Sequence, residues 1–323
     1  MLDRLKKKIR RLCIELGFIS PYRRFGSRII MYHGVDLIGS TEFNLRFFSK
    51  DSFEKQIIYY KKHFNIVTVE DFFNRNYTND KFTIAVTFDD GYANNFKYVL
   101  PILEKYKVPA SIFITAINKT TYEILWTDFI DIAKSLTSNE IEIDHCLYHK
   151  KANGEYYNKQ TNESLKQYIS NYGGYELKVQ MMEAFSKNIK NFKDRPDLFD
   201  YWKLMTDDEI VELSRSKFVT IGSHGYFHNN LGNIPHKDAV EELLKSKNYL
   251  ENLTQNPICS IAYPDGSYTR KLVEKASEIG FKYQLAVNYK HPEDINDDLI
   301  LNRCGVYPEI NSIRYFNYLI TTS

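Results

Sequence analysis

Two adjacent carboxylates, Asp89 and Asp90, end the apolar run Phe82–Phe88 and are followed by Gly91. Successive side chains at a strand end point in different directions, so one carboxylate can bind a cation while the other faces a substrate. Asp-Gly is also an ordinary turn signal. His224 and His228 stand four residues apart, a spacing that can bring two imidazoles to one side of a helix or turn. Two imidazoles and one carboxylate suit Zn²⁺ or another divalent ion and leave positions open for water and substrate. Each pattern alone is weak, and surface histidines commonly show this spacing. Together they point to metal-assisted chemistry.

These residues need a scaffold that brings them together, and the chain supplies alternating signals for one. Strands are predicted at Arg28–Tyr32, Asn65–Val69, Phe82–Phe88, Ala110–Ile114, Val219–Ser223, Ser260–Tyr263, Phe281–Val287 and Leu299–Arg303. Helices are predicted at Ser52–Phe64, Asn95–Tyr106 (with Pro101 marking a kink or late start), His236–Leu253, Thr269–Ile279 and Ile310–Leu319. Thr206-Asp207-Asp208-Glu209 reads as a capping box opening a further helix. Repeated β-α units imply a parallel sheet covered by helices, open or closed into a barrel. In such folds functional residues gather at the carboxyl ends of strands. Four polar segments lie there: Met31-Tyr32-His33-Gly34, Thr87-Phe88-Asp89-Asp90-Gly91, Gly222–His228 and Ala262-Tyr263-Pro264-Asp265-Gly266.

Residues 118–205 break the rhythm. They are polar, rich in Asn, Lys and Tyr, and read as more helical than strand-like, with helices at Trp126–Leu136 and Leu165–Ile189. The expectation is an insertion beside a domain that spans residues 27–323.

Composition narrows the function classes. The 323 residues are 43% hydrophobic and 26% charged, as in globular chains. The net charge of +2 carries no overall nucleic-acid footprint. Residues 1–28 hold nine basic and two acidic residues, so the rest of the chain carries −5. Cys13, Cys146, Cys259 and Cys304 form no C-x-x-C pair, which gives no redox or zinc-ribbon motif and suits a reducing compartment. Aromatic residues reach 15%; they suit a glycan cleft, but core packing and compositional bias are the plainer account of them. No run approaches the roughly 18–20 apolar residues that span a bilayer, and the N-terminus has charge but no apolar signal-peptide core. Leu2, Leu5, Ile9, Leu12 and Leu16 instead fall on one helical stripe among Lys and Arg. Residues 1–26 therefore read as a basic amphipathic helix, either packed on the domain or lying on anionic lipid. The expected location is the cytoplasm, including its membrane face.

Taken together, Thr87-Phe88-Asp89-Asp90-Gly91, His224-x-x-x-His228 and Ala262-Tyr263-Pro264-Asp265-Gly266 resemble the first three motifs of the polysaccharide deacetylase family, also called the NodB-homology family or carbohydrate esterase family 4. Their order and spacing agree, over roughly residues 27–117 and 206–310. The resemblance implies a distorted (β/α) barrel of the NodB-homology type, here with a helical insertion, and metal-dependent removal of acetyl groups from sugars. It implies Asp89 as catalytic base and Asp90, His224 and His228 as ligands of a divalent ion, Zn²⁺ or else Co²⁺, Ni²⁺ or Mn²⁺. A backbone N–H near Asp265 would meet the oxyanion, with Tyr263 beside it.

Two positions depart from the family pattern. Ala262 stands where many members carry an Arg, and no late Leu-x-His supplies a general acid. Tyr32-His33 resembles the early Tyr-His motif of a subgroup that deacetylates biofilm poly-N-acetylglucosamine, which implies His33 as the acid. Arg303, on a late strand, is the expected substitute for the missing Arg. Leu125-Trp126-x-Asp128 resembles a segment of some bacterial members, which places Trp126 beside the site. The implied substrate is an acetylated sugar, polysaccharide or lipid-linked glycan in cell-surface glycan assembly. An O-acetyl esterase, a deformylase and a non-catalytic glycan-binding relative are the competing readings.

Overall fold

A computed structural model describes residues 9–308 and 318–321, apart from 15, 17, 19–24, 41–42, 79, 137–138, 190–191 and 319. Seven parallel strands close into a barrel: β1 (Ser27–Tyr32), β2 (Thr83–Phe88), β3 (Ala110–Ile114), β4 (Val219–Ser223), β5 (Ser260–Ala262), β6 (Tyr283–Ala286) and β7 (Ile300–Gly305). The cyclic order is β1-β7-β6-β5-β4-β3-β2, and β2 returns to β1 along its whole length, from Ser27↔Thr83 to Tyr32↔Phe88. The barrel class is the expected one.

The barrel is distorted for an identifiable reason. Since β1 occupies one edge of β2, two neighbours must share the other. Asn65–Val67 pairs with Thr83–Ala85, and β3 pairs only with Thr87 and Phe88. The joint between β4 and β5 is thinner still, with Ser223↔Ile261 as its register pair.

Side-chain parity sorts the strand residues into two cores. Ile30, Ile84, Val86, Ile112, Ile221, Ile261 and Ala286 pack outward under helices such as Lys50–His63, His236–Thr254 and Arg270–Ile279. Ile29, Ala85, Phe113, Ala262 and Leu285 form a separate cluster within the barrel, joined by Val69 and Phe72 of the short helix Val69–Phe73. Such alternation is the period-two geometry of a strand.

Most elements lie where periodicity puts them. Pro101 lacks an N–H, and the helix before it begins as a π-helical turn, Asn95–Val99, before the α-helix Leu100–Tyr106. The long helix expected at Leu165–Ile189 is two helices, Leu165–Tyr172 and Tyr175–Ile189, separated at Gly173-Gly174. Between residues 118 and 205 there is also an antiparallel sheet of Glu140–Ile143, Cys146–Lys150 and Tyr156–Asn158. Its first turn is Asp144-His145, both at positive φ, as a tight two-residue hairpin requires. These residues share a hydrophobic core of their own, which Phe47 and Tyr92 from the barrel loops enter.

At the N-terminus, residues 9–14 are helical. Leu2 and Leu5 of the apolar stripe, and most of the closing helix expected at Ile310–Leu319, lie outside the described residues. Among the described residues no helix is long and apolar enough to cross a membrane.

Candidate active site

Counting by twos along the inner face of the barrel leads from Ile29 to His33, from Ala85 to Asp89, and from Gly222 to His224. The same parity turns Arg303 of β7 inward. Four polar side chains are thereby aimed at one end of the barrel by strand geometry alone. Asp90 breaks the alternation. Its φ is +75, and Gly91 follows at +77, so the chain turns sharply, and both carboxylates come near His224 Nε2, at 3.9 Å for Asp89 and 3.4 Å for Asp90.

Asp89 is buried and held from both sides. Its backbone N–H donates to the Tyr32 carbonyl. Both its oxygens accept from Arg303, from Nη1 at 2.6 Å and Nη2 at 2.7 Å. Arg303 also donates to Thr87 Oγ1 and to the Ala286 carbonyl, and its guanidinium lies over the Phe113 ring. Burial pushes the Asp89 carboxyl up, but Arg303, by charge and hydrogen bond, together with His224 and His33, outweighs it, so the group ionises below the ordinary carboxylate range.

Asp90, His224 and His228 converge. The Asp90 carboxylate lies 3.4 Å from His224 Nε2 and 3.1 Å from His228 Nε2. One ligand atom from each of the three lies within 4.8 Å of the others, and all three residues are buried. Neither Asp90 oxygen has a hydrogen-bond donor among the described residues. A buried carboxylate that faces two imidazoles, with no such donor and only the Arg46 guanidinium at 3.5 Å, is left short of partners unless a further cation is bound. His224 Nδ1 lies 2.7 Å from the Ala262 carbonyl. A carbonyl only accepts, so Nδ1 carries the proton and Nε2 presents its lone pair to the cluster, as metal-ligating histidines are usually arranged. The donor set and its orientation therefore fit a divalent ion.

Charges tune these groups further. Burial pushes the His224 imidazole down, but Asp89 and Asp90 outweigh it and hold it above its ordinary value. Burial pushes Asp90 up, and the facing imidazoles and Arg46 overcome it, leaving the carboxyl well below its usual range. His33 is buried and within electrostatic reach of Asp89, Asp90, His224 and Arg46; burial and the Arg46 charge lower it to about 4.

Arg46 is a member of the site that sequence reasoning missed. Its Nη1 lies 3.5 Å from Asp90 and its Nη2 3.3 Å from Asp128. Tyr92 donates to Asp128 at 2.7 Å and Asn44 donates to it at 3.1 Å. Burial pushes Asp128 up to about 7 against the pull of Arg46. Asp128 belongs to the helix Trp126–Leu136 and Arg46 to the loop after β1. A pairing across such a separation leaves no local pattern in the sequence.

The remaining expected site residues are distributed unevenly. Trp126 is buried in the core of residues 118–205, with Lys178 Nζ 5.8 Å from its ring centroid. Asp265 is exposed, at φ +52, in the turn Pro264–Gly266. Tyr263 is not brought to the cluster. Its ring packs in the outer core, and its hydroxyl donates to Gln284. The reason is parity: Ala262 faces inward, so its neighbour faces out.

A family model described as polysaccharide deacetylase matches residues 76–182 and 184–284. No curated protein matches the sequence. Among solved structures, the fold is similar to a Streptococcus pyogenes deacetylase, PplD, solved in complex with acetate (18% identity, 93% of this chain and 100% of that one, TM-score 0.54). It is also similar to BC0361, a polysaccharide deacetylase from Bacillus cereus (19% identity, 93% and 69%, TM-score 0.56). A third similar structure is IcaB from Ammonifex degensii (16% identity, 92% and 98%, TM-score 0.56).

Proposed function

Since the chain belongs to the polysaccharide deacetylase family, we propose that it is a metal-dependent hydrolase that removes N-acetyl groups from sugar residues of a glycan, glycolipid or polysaccharide precursor. The observation that carries this reading is the convergence of Asp90, His224 and His228 beside an Asp89 gripped by Arg303. Asp90, His224 and His228 would hold the ion, with Zn²⁺ the first choice and Co²⁺, Ni²⁺ or Mn²⁺ compatible with the same donors. When bound, such an ion polarises the acetyl carbonyl and acidifies a water.

The protein's own residues then manage the protons. Asp89, kept ionised by Arg303, accepts a proton from the attacking water. The backbone around Asp265 supplies the donor to the developing oxyanion. His33 carries a proton to the departing amine. Because it is neutral at rest near pH 7, it must first receive the proton released by the water, so one relay from water to nitrogen serves both steps. With His33 in this role, the chain sits in the subgroup with the early Tyr-His motif, and the helices and sheet between residues 118 and 205 form one wall of the substrate cleft.

The same property of His33 favours a second reading, O-deacetylation. An alkoxide leaves with less need of protonation than an amide nitrogen. Acetate release from N-acetylated and O-acetylated oligosaccharides, measured side by side with each of the four ions, separates the two. Faster release from the O-acetyl substrate would overturn the primary reading.

The N-terminal helix supports contact with a membrane surface. Ile9, Leu12 and Leu16 of its apolar stripe are each more than half exposed, among nine basic residues in the first 28. Such a surface suits anionic lipid. Co-sedimentation with phosphatidylglycerol vesicles tests it; equal recovery of the protein with neutral vesicles, or none with either, would refute it.

A further inference from the structure

The two histidines of the cluster are oriented by different means. His224 is fixed through its ring, by Nδ1 against the Ala262 carbonyl at 2.7 Å. His228 has no such support, because its Nδ1 is buried without a hydrogen-bond partner among the described residues. Its backbone is also in the left-handed region, φ +51, which a β-carbon disfavours. Something else must hold this residue so that Nε2 points at Asp90.

The backbone of His228 is clamped instead. Its carbonyl accepts from Lys178 Nζ at 2.7 Å, and the same ammonium donates to Asn229 Oδ1 at 2.8 Å. Asn229 passes the link on, with Nδ2 donating to Glu242 at 2.8 Å. Glu242 also accepts the backbone N–H groups of Phe227 and Asn229. Lys178 and Glu242 are each 2% exposed. A buried ammonium and a buried carboxylate thus both grip the His228 loop, one at its carbonyl and one at its N–H groups, bridged by one amide. Lys178 lies on the helix Tyr175–Ile189, whose Tyr175 stacks on Phe227 at 4.7 Å. Beyond its two acceptors, Lys178 faces the ring of Trp126. Desolvating a lysine is expensive, and a purely structural contact at this place could be made by an apolar side chain.

We propose that Lys178 is the positioning residue of His228: by fixing the His228–Asn229 peptide, it does for this imidazole what the Ala262 carbonyl does for His224. The inference rests on the reading of Asp90, His224 and His228 as an ion site. It makes the stretch between residues 118 and 205 a working part of that site as well as a wall.

The test is metal affinity in the full chain, measured with Zn²⁺ and Co²⁺ against a chromophoric chelator, together with the melting temperature of the metal-free protein. The variants are Lys178→Met, Lys178→Gln and, as reference, His228→Ala. Loss of an orienting partner of a metal-ligating histidine typically weakens binding by about 10–100-fold. Lys178→Met is expected to show that loss, with an altered visible spectrum of bound Co²⁺ and a metal-free melting temperature close to that of wild type. Lys178→Gln keeps a donor for the carbonyl and is expected to lose less; it also serves should the Met variant not fold. Wild-type affinity in a folded Lys178 variant, with binding abolished in His228→Ala, would overturn the role of Lys178 and leave the ion site standing. No binding by wild type would overturn the ion site itself, and this inference with it.

Discussion

Arg303 on the seventh strand of the barrel grips both oxygens of Asp89 on the second, at 2.6 and 2.7 Å, from a side chain with no exposure to solvent. Planar guanidinium and carboxylate groups meet two-to-two, the geometry that gives such pairs both strength and direction. Ala262, small and inward-facing, lies on the same inner face, so the cation that balances the carboxylate arrives from β7 and not from β5.

Replacing Arg303 should expose what that pairing does. In Arg303→Met the burial that raises the Asp89 pKa loses its strongest opponent, with His224 and His33 left to oppose it. A depressed carboxylate loses its function as pH falls through its folded pKa, so the acid limb of kcat/KM should move to higher pH. At neutral pH the rate should fall by about 10–100-fold, toward the loss of a general base. Stability should drop by roughly 3–5 kcal/mol above that pKa, since a buried partner is left unpaired. An unmoved acid limb would deny Arg303 this part.

His33→Ala should discriminate between leaving groups. If His33 relays a proton to nitrogen, kcat on an N-acetyl sugar should fall by about 10²–10⁴-fold, while an O-acetyl substrate loses at least tenfold less. Equal losses on both would remove His33 from the leaving-group step.

Metal binding should compete with protons. His224 is held above its ordinary pKa in the metal-free chain by Asp89 and Asp90, against burial, and its Nε2 must be free of a proton to bind an ion. The apparent affinity should therefore fall about tenfold per pH unit below that raised pKa. Asp89→Asn removes one of the two charges that raise it, so the onset should shift to lower pH. Chelator competition between about pH 5 and 8 reads both curves; a pH-independent affinity would contradict the assignment of His224.

Gly222 tests the packing beneath the site. Its backbone needs no positive φ, yet a β-carbon there would lie 2.4 Å from the Phe113 ring and 2.6 Å from Ser260 Oγ. Gly222→Ala should cost about 1–3 kcal/mol as overpacking, seen as a lower urea midpoint with an unchanged slope. Wild-type stability would mean that the Phe113 ring yields freely, and with it the floor under Arg303.

What the sequence made legible follows from range. Strand ends are local, so the polar segments that carry His33, Asp89, Asp90, His224 and His228 could be placed at one end of a parallel fold, while the family resemblance singles out His33 and Arg303. Parity explains Tyr263: one residue past an inward Ala262, it faces the outer core, and a motif read as a block overlooks that. The Asp144-His145 hairpin was hidden because its turn lacks the Asn-Gly or Asp-Gly signal. A single helix was expected through Gly173-Gly174 because the apolar spacing continues on both sides. Asp128 stood in a segment that the resemblance placed beside the site, but its pairing with Arg46 could not be read from it, and Arg46 and Lys178 left no local trace. Each acts through a partner more than forty residues away, on surfaces that only the folded chain brings together.

The central claim is that Asp90, His224 and His228 hold a divalent ion beside Asp89 as base. Elemental analysis of wild type, Asp89→Asn and His228→Ala, paired with acetate release from an N-acetylated oligosaccharide, tests it most directly. The account predicts about one ion per chain in wild type and in Asp89→Asn, no bound ion in His228→Ala, and turnover in wild type alone. Wild-type protein that takes up no ion after reconstitution, or an Asp89→Asn variant that still releases acetate at the wild-type rate, would contradict it.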